Sequence, residues 1–331
     1  MDRDREFVLH LYRTILGREP SQGEVDGWVA AARDLSYDEM DAMFRDGDEG
    51  RAKAPPKTVP YFPLGHYYSP MANGELAVGL RPPHTVRPEQ LLDLDFDIEA
   101  QKRFWIDNAD IIHSIDISAQ PDGGRRYHYP NDFYPEADAV MLQTMVLAFR
   151  PRRLIEIGSG FSSACILDAL DRPDAPDTAL VFIDPEPQRL YGLLRDTDHE
   201  RVTVYSRCLQ DVDAAIFTEL QADDILFIDS SHVLKTASDV CYYLFEIFPR
   251  LPTGVVIHIH DIHYPFEYPP EWVALGWSWN EAYALRAFLM NNSRYEILFS
   301  NSGMRILAPD LVKTKPQFLY SPGASLWLRK L

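Results

Sequence analysis

From residue 152 to residue 259, short apolar segments alternate with segments of helical periodicity, and this alternation restricts the folds open to the chain. Strands are predicted at 154–157, 179–183, 202–205, 224–228 and 254–259. Helices are predicted at 163–170, 186–194, 212–220, 235–248 and 281–290. Strands separated by helices pair in parallel, with helices on both faces of the sheet. We therefore predict an α/β fold with a doubly wound, mostly parallel sheet, followed by an antiparallel pair at 295–300 and 325–329.

The first predicted strand runs into a glycine turn and a helix. Glu156-Ile157-Gly158-Ser159-Gly160 ends the strand, and Ser162 or Ser163 is expected to cap the helix. Because glycine has no side chain, a ligand can approach the turn closely beside a helix N-terminus. Position 163 is serine, so the three-glycine dinucleotide motif is incomplete. Asp184 ends the second strand, where a carboxylate can accept hydrogen bonds from ribose hydroxyls.

The charge of the chain argues against several classes of partner. The 331 residues carry a net charge of -18, from 50 acidic and 32 basic residues. Such a charge repels nucleic acid and anionic membrane surfaces. No apolar run reaches the ~18 residues of a membrane span, and the first residues do not resemble a signal peptide. With three scattered cysteines expected to be reduced, we expect a cytoplasmic protein.

The sequence divides into three parts. Residues 1–50 are predicted to form a small helical module, with helices beginning near Ser21 and Ser36. The segment "FVLHLYRTILGREPSQGEVDGWV" resembles the short repeat unit known as DUF4214, so we interpret the module as a docking or packing element. Residues 51–135 are rich in proline and aromatic residues and are predicted to link the parts and cover the ligand. Residues 136–331 contain the predicted sheet.

Polar residues follow the fourth and fifth predicted strands, whose carboxyl ends meet at one edge of the sheet. Asp229 and His232 follow the fourth strand, and His260, Asp261 and His263 follow the fifth. One interpretation is that Asp229 and Asp261 bind Mg²⁺ or Mn²⁺, with His232 as a general base whose pKa lies near the working pH. The other is that Asp229 caps a helix and the histidines are exposed or packed in the core. For His260 and His263 both interpretations stay open.

The glycine turn and the acid of the second strand resemble class I S-adenosylmethionine-dependent methyltransferases. The first motif of that family is E/D-x-G-x-G, here Glu156 to Gly160, and its second strand ends in an acid, here Asp184. The resemblance implies a Rossmann-like fold that binds S-adenosylmethionine. It also implies that Gln210 or Asp211, after the third strand, contacts adenine.

Two further segments, "DILFIDSSHVLKTASDV" and "VIHIHDIHYPFEYPPEWV", are similar to a methyltransferase subgroup found beside bacterial polysaccharide genes. The similarity includes "HYYSP", which contains Tyr68. The D-x-x-H element is also similar to macrolide-sugar O-methyltransferases, which implies that Asp229 binds Mg²⁺ and His232 acts as base. Asp261 lies where catechol-type enzymes have a second ligand, whereas Ile262 replaces their asparagine.

Aromatic segments on either side of the sheet provide further candidates. The resemblance implies that Phe133 and Tyr134 cover the sulfonium and that Asp138 reaches the amino group of the cofactor. After the fifth strand, Trp279 and Glu281 are candidates for contacts with acceptor hydroxyls. Packing of these aromatic residues against one another is the alternative.

Together these features predict an S-adenosylmethionine-dependent methyltransferase acting on a hydroxyl of a sugar, glycan precursor or glycosylated small molecule. The alternatives are an NAD-dependent sugar-modifying oxidoreductase and a non-catalytic scaffold of polysaccharide machinery. The sequence leaves the acceptor, the metal requirement and the oligomeric state open, a homo-oligomer included. Protein docking through residues 1–50 is also left open.

Overall fold

The structure is a computed structural model that describes residues 3–33, 35–53, 65–66, 68–72, 83–117 and 124–331. Within the predicted proline- and aromatic-rich segment 51–135, residues 54–64, 67, 73–82 and 118–123 lie outside the described residues.

Four helices form the N-terminal module: α1 (Arg3–Thr14), α2 (Gln22–Ala31), α3 (Tyr37–Asp46) and α4 (Asp48–Lys53). Ser21 and Ser36 cap α2 and α3, and each forms a capping box with the glutamate three residues later. Both predicted helix starts are therefore confirmed. Apolar side chains of α1, α2 and α3 form a small core separate from those of the sheet, with Phe7, Val8, Leu11, Tyr12, Leu16, Val25, Met40 and Phe44 buried.

Seven strands form one sheet in the order β3-β2-β1-β4-β5-β7-β6. Their bounds are β1 (Arg153–Ile157), β2 (Ala179–Ile183), β3 (Val202–Tyr205), β4 (Ile225–Ile228), β5 (Val256–Ile259), β6 (Tyr295–Ser300) and β7 (Leu326–Lys330). The first five strands pair in parallel, whereas β7 is antiparallel to both β5 and β6. The predicted α/β fold and its terminal antiparallel pair are confirmed. The insertion of β7 between β5 and β6 was not predicted.

The other helices before the fifth strand are α5 (Ile98–Asp107), α6 (Ala109–Ser114), α7 (Glu136–Phe149), α8 (Phe161–Leu170), α9 (Gln188–Leu193), α10 (Ala215–Thr218) and α11 (Asp239–Tyr242). After it come α12 (Pro270–Ala274), α13 (Glu281–Leu289), α14 (Asn301–Leu307), α15 (Pro309–Val312) and α16 (Gln317–Tyr320). No helix among the described residues is long and apolar enough to cross a membrane.

Three helix predictions need correction. The predicted helix 235–248 begins later, because Ser238 caps α11, and it continues as a π-helix over Tyr243–Ile247. The predicted helix 212–220 shrinks to α10, because the Asp213 carboxylate accepts the amide proton of Ala215 and holds a turn before it. Ser162 and Ser163 do not cap α8 but lie in its first turn, where Ser163 Oγ accepts a hydrogen bond from the Gly160 amide over 3.0 Å.

Helices cover both faces of the sheet, so the central strands are buried on both sides. Ile155 and Ile157 of β1 pack in the core on one face, and Leu154 packs in the core on the other. The carboxyl ends of β1, β2, β4 and β5 lie along one edge of this sheet, where parallel sheets bind ligands.

Candidate active site

The glycine turn joins β1 closely to β4. Gly158 has a φ of +80°, and a Cβ atom there would lie 1.7 Å from the carbonyl oxygen of Asp229. The Asp229 amide donates to the carbonyl of Ile157 over 2.8 Å, so the two strand ends are held in contact. Only glycine fits this position, since any side chain would collide with the backbone of β4.

Asp184, at the end of β2, is oriented by two backbone amides. Its Oδ2 accepts the amide proton of Ser159 over 2.7 Å, and its Oδ1 accepts that of Glu186 over 2.7 Å. Each carboxylate oxygen retains a lone pair for a further donor. The carboxylate therefore stands beside the glycine turn in a fixed orientation, as ribose recognition requires.

A cavity of about 660 Å³ opens at this edge of the sheet. Its size is within the range of small-molecule sites. The predicted site residues that line it are Phe133, Tyr134, Gly158, Ser159, Gly160, Asp184, Asp229, His232, His260, Asp261 and Trp279. The structure thus brings six of the predicted cofactor residues and both predicted catalytic residues, Asp229 and His232, to one cavity.

Two predicted cofactor contacts lie behind the cavity instead. Glu156 is fully buried, the Ser163 hydroxyl donates to it, and burial raises the pKa of its carboxyl to about 8. Asp138 is also fully buried and accepts hydrogen bonds from the amides of Ala324 and Ser325. These two acids lie behind the walls of the cavity, and the structure does not place Asp138, predicted to reach the cofactor, among the residues that line it.

Other predicted residues lie away from the cavity. Gln210 donates to the carbonyl of Ala237 over 2.7 Å, and Asp211 closes a short 3₁₀ turn, so neither of them lines the cavity. His263 packs against Trp272 with 5.1 Å between ring centroids, and burial lowers its pKa. Tyr68 is 64% exposed and is not part of the cavity wall.

Two histidines and two aspartates meet where β4 and β5 end. The Nε2 atom of His232 lies 3.3 Å from Asp229 and 3.5 Å from Asp261. The Nδ1 atom of His260 lies 3.5 Å and 3.6 Å from the same two carboxylates. We call these four residues the histidine–aspartate cluster.

A buried acid holds each histidine from behind. Nδ1 of His232 is 2.8 Å from Oε2 of Glu281, and the hydroxyl of Tyr243 donates to the other Glu281 oxygen over 2.6 Å. Nε2 of His260 is 3.0 Å from Oδ2 of Asp138. Each ring is thus fixed through one nitrogen and directs the other nitrogen to the aspartates. Glu281 is fully buried, so the predicted contact between Glu281 and the acceptor is replaced by this supporting role.

The cluster perturbs the pKa of all its members. Burial lowers the pKa of His232, but hydrogen bonds with Asp229 and Glu281 outweigh it and raise the pKa to about 10. For His260, burial is outweighed by Asp261 and Asp229, and the pKa is raised well above its ordinary value. The pKa of each aspartate is lowered, because the histidines outweigh burial. The pKa of His232 in this arrangement, about 10, therefore lies above the value near the working pH that was expected.

Two residues of the histidine–aspartate cluster also have strained backbone conformations. His232 has a φ of 58° and Asp261 a φ of 56°, values that residues other than glycine adopt infrequently. The amides of Asn280 and Glu281 at the start of α13 both contact the carbonyl of His232, which holds the strained backbone. Strain of this kind collects at functional sites.

Tryptophans form the wall beside His232. The rings of Trp279 and His232 have centroids 4.3 Å apart, those of Trp277 and Trp279 4.8 Å, and those of Trp272 and Trp277 5.0 Å. All three tryptophans line the cavity, and Trp277 is 43% exposed. The sequence predicted the aromatic segment, and the structure shows that it both packs on itself and faces the cavity.

Known proteins are similar to parts of this chain. Residues 155–262 match the family model described as a methyltransferase domain. An uncharacterized protein of Archaeoglobus fulgidus is 27% identical over 170 residues, which are 50% of this chain and 76% of that protein. A methyltransferase of Podospora anserina, bound to S-adenosylhomocysteine, is 14% identical over 70% of this chain and 88% of its own, with a TM-score of 0.38. An O-methyltransferase from Bacillus cereus, in complex with the same compound, is 12% identical over 70% and 91%, with a TM-score of 0.37.

The matched segment begins in β1 and ends just after β5, so it contains the glycine turn, Asp184 and the histidine–aspartate cluster. The part of the chain that is similar to a methyltransferase domain is therefore the part that supplies most of the cavity's polar residues.

Proposed function

We propose that the protein transfers a methyl group from S-adenosylmethionine to a hydroxyl of a sugar, a glycan precursor or a glycosylated small molecule. The observation that carries the proposal is that one cavity contains the glycine turn, the oriented Asp184 and the histidine–aspartate cluster. The first two suit an adenosyl compound, and the third suits proton removal from an acceptor.

The cavity wall suits the charge of the cofactor. S-Adenosylmethionine carries a sulfonium cation, and the carboxylates of Asp184, Asp229 and Asp261 all line the cavity. The rings of Phe133 and Tyr134 line it as well, and the guanidinium of Arg189 lies over the Phe133 ring, 3.5 Å from its centroid, in a cation–π contact. Negative charge and aromatic faces both stabilise a cation in a partly desolvated site.

The chemical step needs a proton acceptor near the hydroxyl. As the acceptor oxygen bonds to the methyl carbon, the carbon–sulfur bond breaks and its electron pair stays on sulfur, giving S-adenosylhomocysteine. The hydroxyl proton passes to Nε2 of His232 when this ring is in its neutral form, since Nδ1 is engaged by Glu281. Alignment of oxygen, carbon and sulfur supplies a large part of the rate.

The histidine–aspartate cluster also fits a divalent cation. Asp229, His260 and Asp261 each offer a ligand atom, and these atoms all lie within 4.8 Å of one another. Two carboxylates suit Mg²⁺ or Mn²⁺, and the imidazole favours Mn²⁺ of the two. A cation bound there would lower the pKa of an acceptor hydroxyl and orient its oxygen. Such a cation would also balance the negative charge of Asp229 and Asp261. These aspartates would then no longer favour the protonated form of His232.

The tryptophan wall supports a carbohydrate acceptor. Trp277 and Trp279 line the cavity beside His232, Trp277 is 43% exposed, and an exposed aromatic face packs against the C–H groups of a sugar ring. A sugar stacked on Trp277 would present its hydroxyls to the side of the cavity that contains the proposed base.

Thermal unfolding with added S-adenosylmethionine, S-adenosylhomocysteine or NAD tests the cofactor assignment. A compound that binds the folded chain and not the unfolded chain raises the unfolding temperature, by an amount that grows with the logarithm of its concentration over Kd. We expect stabilisation by the first two compounds, and stabilisation by NAD alone would overturn the proposal.

Methyl transfer from labelled S-adenosylmethionine to a panel of sugars, nucleotide sugars and glycosides tests the reaction. The assay is run on metal-depleted protein with Mn²⁺, Mg²⁺ or neither. We expect transfer to a sugar-containing acceptor, with Mn²⁺ giving the highest rate. Equal rates with and without the cations would remove the cation from the proposal, and transfer only to acceptors without a sugar would remove the carbohydrate assignment.

A further inference from the structure

A second cavity lies between the N-terminal module and the sheet. It measures about 690 Å³ and is lined by Ser36, Tyr37 and Asp38 at the start of α3, and by Glu186 and Gln188 after β2. Phe133, Ser159, Asp184 and Arg189 line both this cavity and the cavity of the candidate active site. The two cavities therefore adjoin at the glycine turn and at the oriented carboxylate.

The wall shared by the two cavities contains a buried hydroxyl group, that of Ser159. Ser159 is 7% exposed, and its Oγ atom has no hydrogen-bond partner among the described residues. A buried hydroxyl without a partner is costly, so a ligand group is expected beside it. The same residue donates its amide to Asp184, which places the hydroxyl close to the proposed ribose-binding carboxylate.

The segment after β3 that was expected to contact adenine does not reach the wall shared by the two cavities. Gln210 and Asp211 line neither of the two cavities. Beyond Asp184, the wall is formed instead by Tyr37 and Asp38 of the N-terminal module. Tyr37 is fixed by stacking on Phe7 at 4.2 Å and by donating its hydroxyl to Asp4 over 2.7 Å.

An ion pair joins the module to the β2 end. Arg45 of α3 lies 2.7 Å from Glu186, with both side chains at least half exposed. Such a pair contributes little energy by itself. The position of the pair is more informative than its energy, because the backbone amide of Glu186 also donates a hydrogen bond to Asp184. Movement of α3 is thereby coupled to the wall that orients the proposed ribose contact.

We propose that the N-terminal helical module forms one wall of the adenosyl site, with Asp38 facing the nucleoside. The inference rests on the proposed function, because it assigns the nucleoside half of the same cofactor. The carboxylate of Asp38 accepts a hydrogen bond from the adenine amino group or a ribose hydroxyl, both of which are donors. A partner that binds the module then changes cofactor affinity, and the cofactor changes partner affinity by the same factor.

Calorimetric titration of the full chain with S-adenosylhomocysteine tests this assignment. Asp38→Ala removes an exposed side chain without touching a core, and we expect binding to weaken about fivefold, as for one lost hydrogen bond. Arg45→Glu sets a negative charge against Glu186, and we expect a loss of about tenfold. Asp26→Ala is the matched control, since Asp26 is exposed in α2 of the same module and lines neither cavity.

Hydrogen exchange gives a second readout that does not depend on a substitution. The amides at the start of α3 should exchange more slowly when S-adenosylhomocysteine is bound, whereas those of α2 should not change. If the wild-type chain binds the compound while both variants match Asp26→Ala and α3 gains no protection, the inference fails and the proposed function stands. If the wild-type chain binds neither form of the cofactor, the proposed function itself fails.

Discussion

The two halves of the main cavity are built by different means. On the side of β1 and β2, backbone geometry shapes the site: Gly158 permits contact with β4, and two amides orient Asp184. On the side of β4 and β5, side chains shape it: His232 and His260 are each held by an acid from elsewhere in the chain. The comparison teaches that the first half depends on local chain conformation and the second on distant packing.

The halves also differ in charge. Behind the glycine turn, burial raises the pKa of Glu156, which favours its neutral form. In the histidine–aspartate cluster, opposite charges outweigh burial and lower the pKa of Asp229. Glu156 and Asp229 lie on neighbouring strands but favour opposite protonation states. The reason is that only Asp229 has cationic partners, the two histidines.

Removal of His232 should produce the largest effect on activity. With His232→Ala, we expect the kcat for methyl transfer to fall about 10²- to 10⁴-fold, the usual contribution of a positioned general base. Cofactor affinity should change little, since the glycine turn and Asp184 stay in place. Steady-state kinetics and a titration with S-adenosylhomocysteine measure the two quantities.

His113→Ala provides the control, because His113 is exposed on α6, outside the cavity. A His232→Ala enzyme with the turnover of the control would remove His232 as the base. It would also remove the catalytic assignment of the β4 and β5 half.

Substitution of Gly158 should break the other half of the site. Gly158→Ala combines a positive φ with a Cβ atom 1.7 Å from a backbone oxygen, so we expect a loss of about 3 kcal/mol or more in unfolding free energy. Denaturant unfolding measures this loss. The altered turn should also lose most of its affinity for S-adenosylhomocysteine.

Gly160→Ala is the matched substitution two residues later. Its Cβ atom would approach only the flexible side chain of Arg189, at 3.0 Å, so we expect less than about 1 kcal/mol of change. Equal losses for the two variants would contradict the view that close backbone approach is specific to Gly158.

The difference between the halves explains how much of the molecule could be predicted from its sequence. Strand periodicity placed the five parallel strands, and a strand followed by glycines indicated the turn, because these signals are local. The roles of Asp138 and Glu281 were missed, since they are 122 and 49 residues from the histidines that they hold. The available signal was an acid in the first turn of an otherwise apolar helix, Asp138 in "EADAVMLQTMVLAF" and Glu281 in "EAYALRAFL". Burial of such an acid indicates a buried partner, but not which partner.

Neutralising Glu281 should have an intermediate effect. Glu281→Gln retains the shape of the side chain but removes the charge that helps raise the pKa of His232. We expect kcat to fall about 10- to 100-fold, as for other groups that orient a functional histidine. The pKa of His232 should fall from about 10, so the pH at which the neutral base forms shifts to lower values.

A pH–rate profile separates this positioning role from a structural one. Tyr243→Phe removes the hydroxyl that donates to Glu281 and should move the profile in the opposite direction, by less. If Glu281→Gln lowers kcat but leaves the profile in place, Glu281 only supports the fold.

The last prediction concerns Glu156 and tests the difference in charge between the two halves of the cavity. The pKa of Glu156 in the folded chain, about 8, exceeds its unfolded value near 4.5. Its stabilising contribution is therefore present below about pH 4.5 and is lost as the pH rises through about 8, because the folded chain must then bury a charge. In Glu156→Gln the side chain cannot ionise, so the variant should gain stability relative to the wild type as the pH rises from 5 to 9. Unfolding at both pH values measures this gain, with Glu89→Gln at an exposed turn as the control. The difference in unfolding free energy between the wild type and Glu156→Gln would be the same at the two pH values if Glu156 were already ionised in the folded chain. The two halves of the cavity would then share one charge state, and the contrast between them would rest on backbone geometry alone.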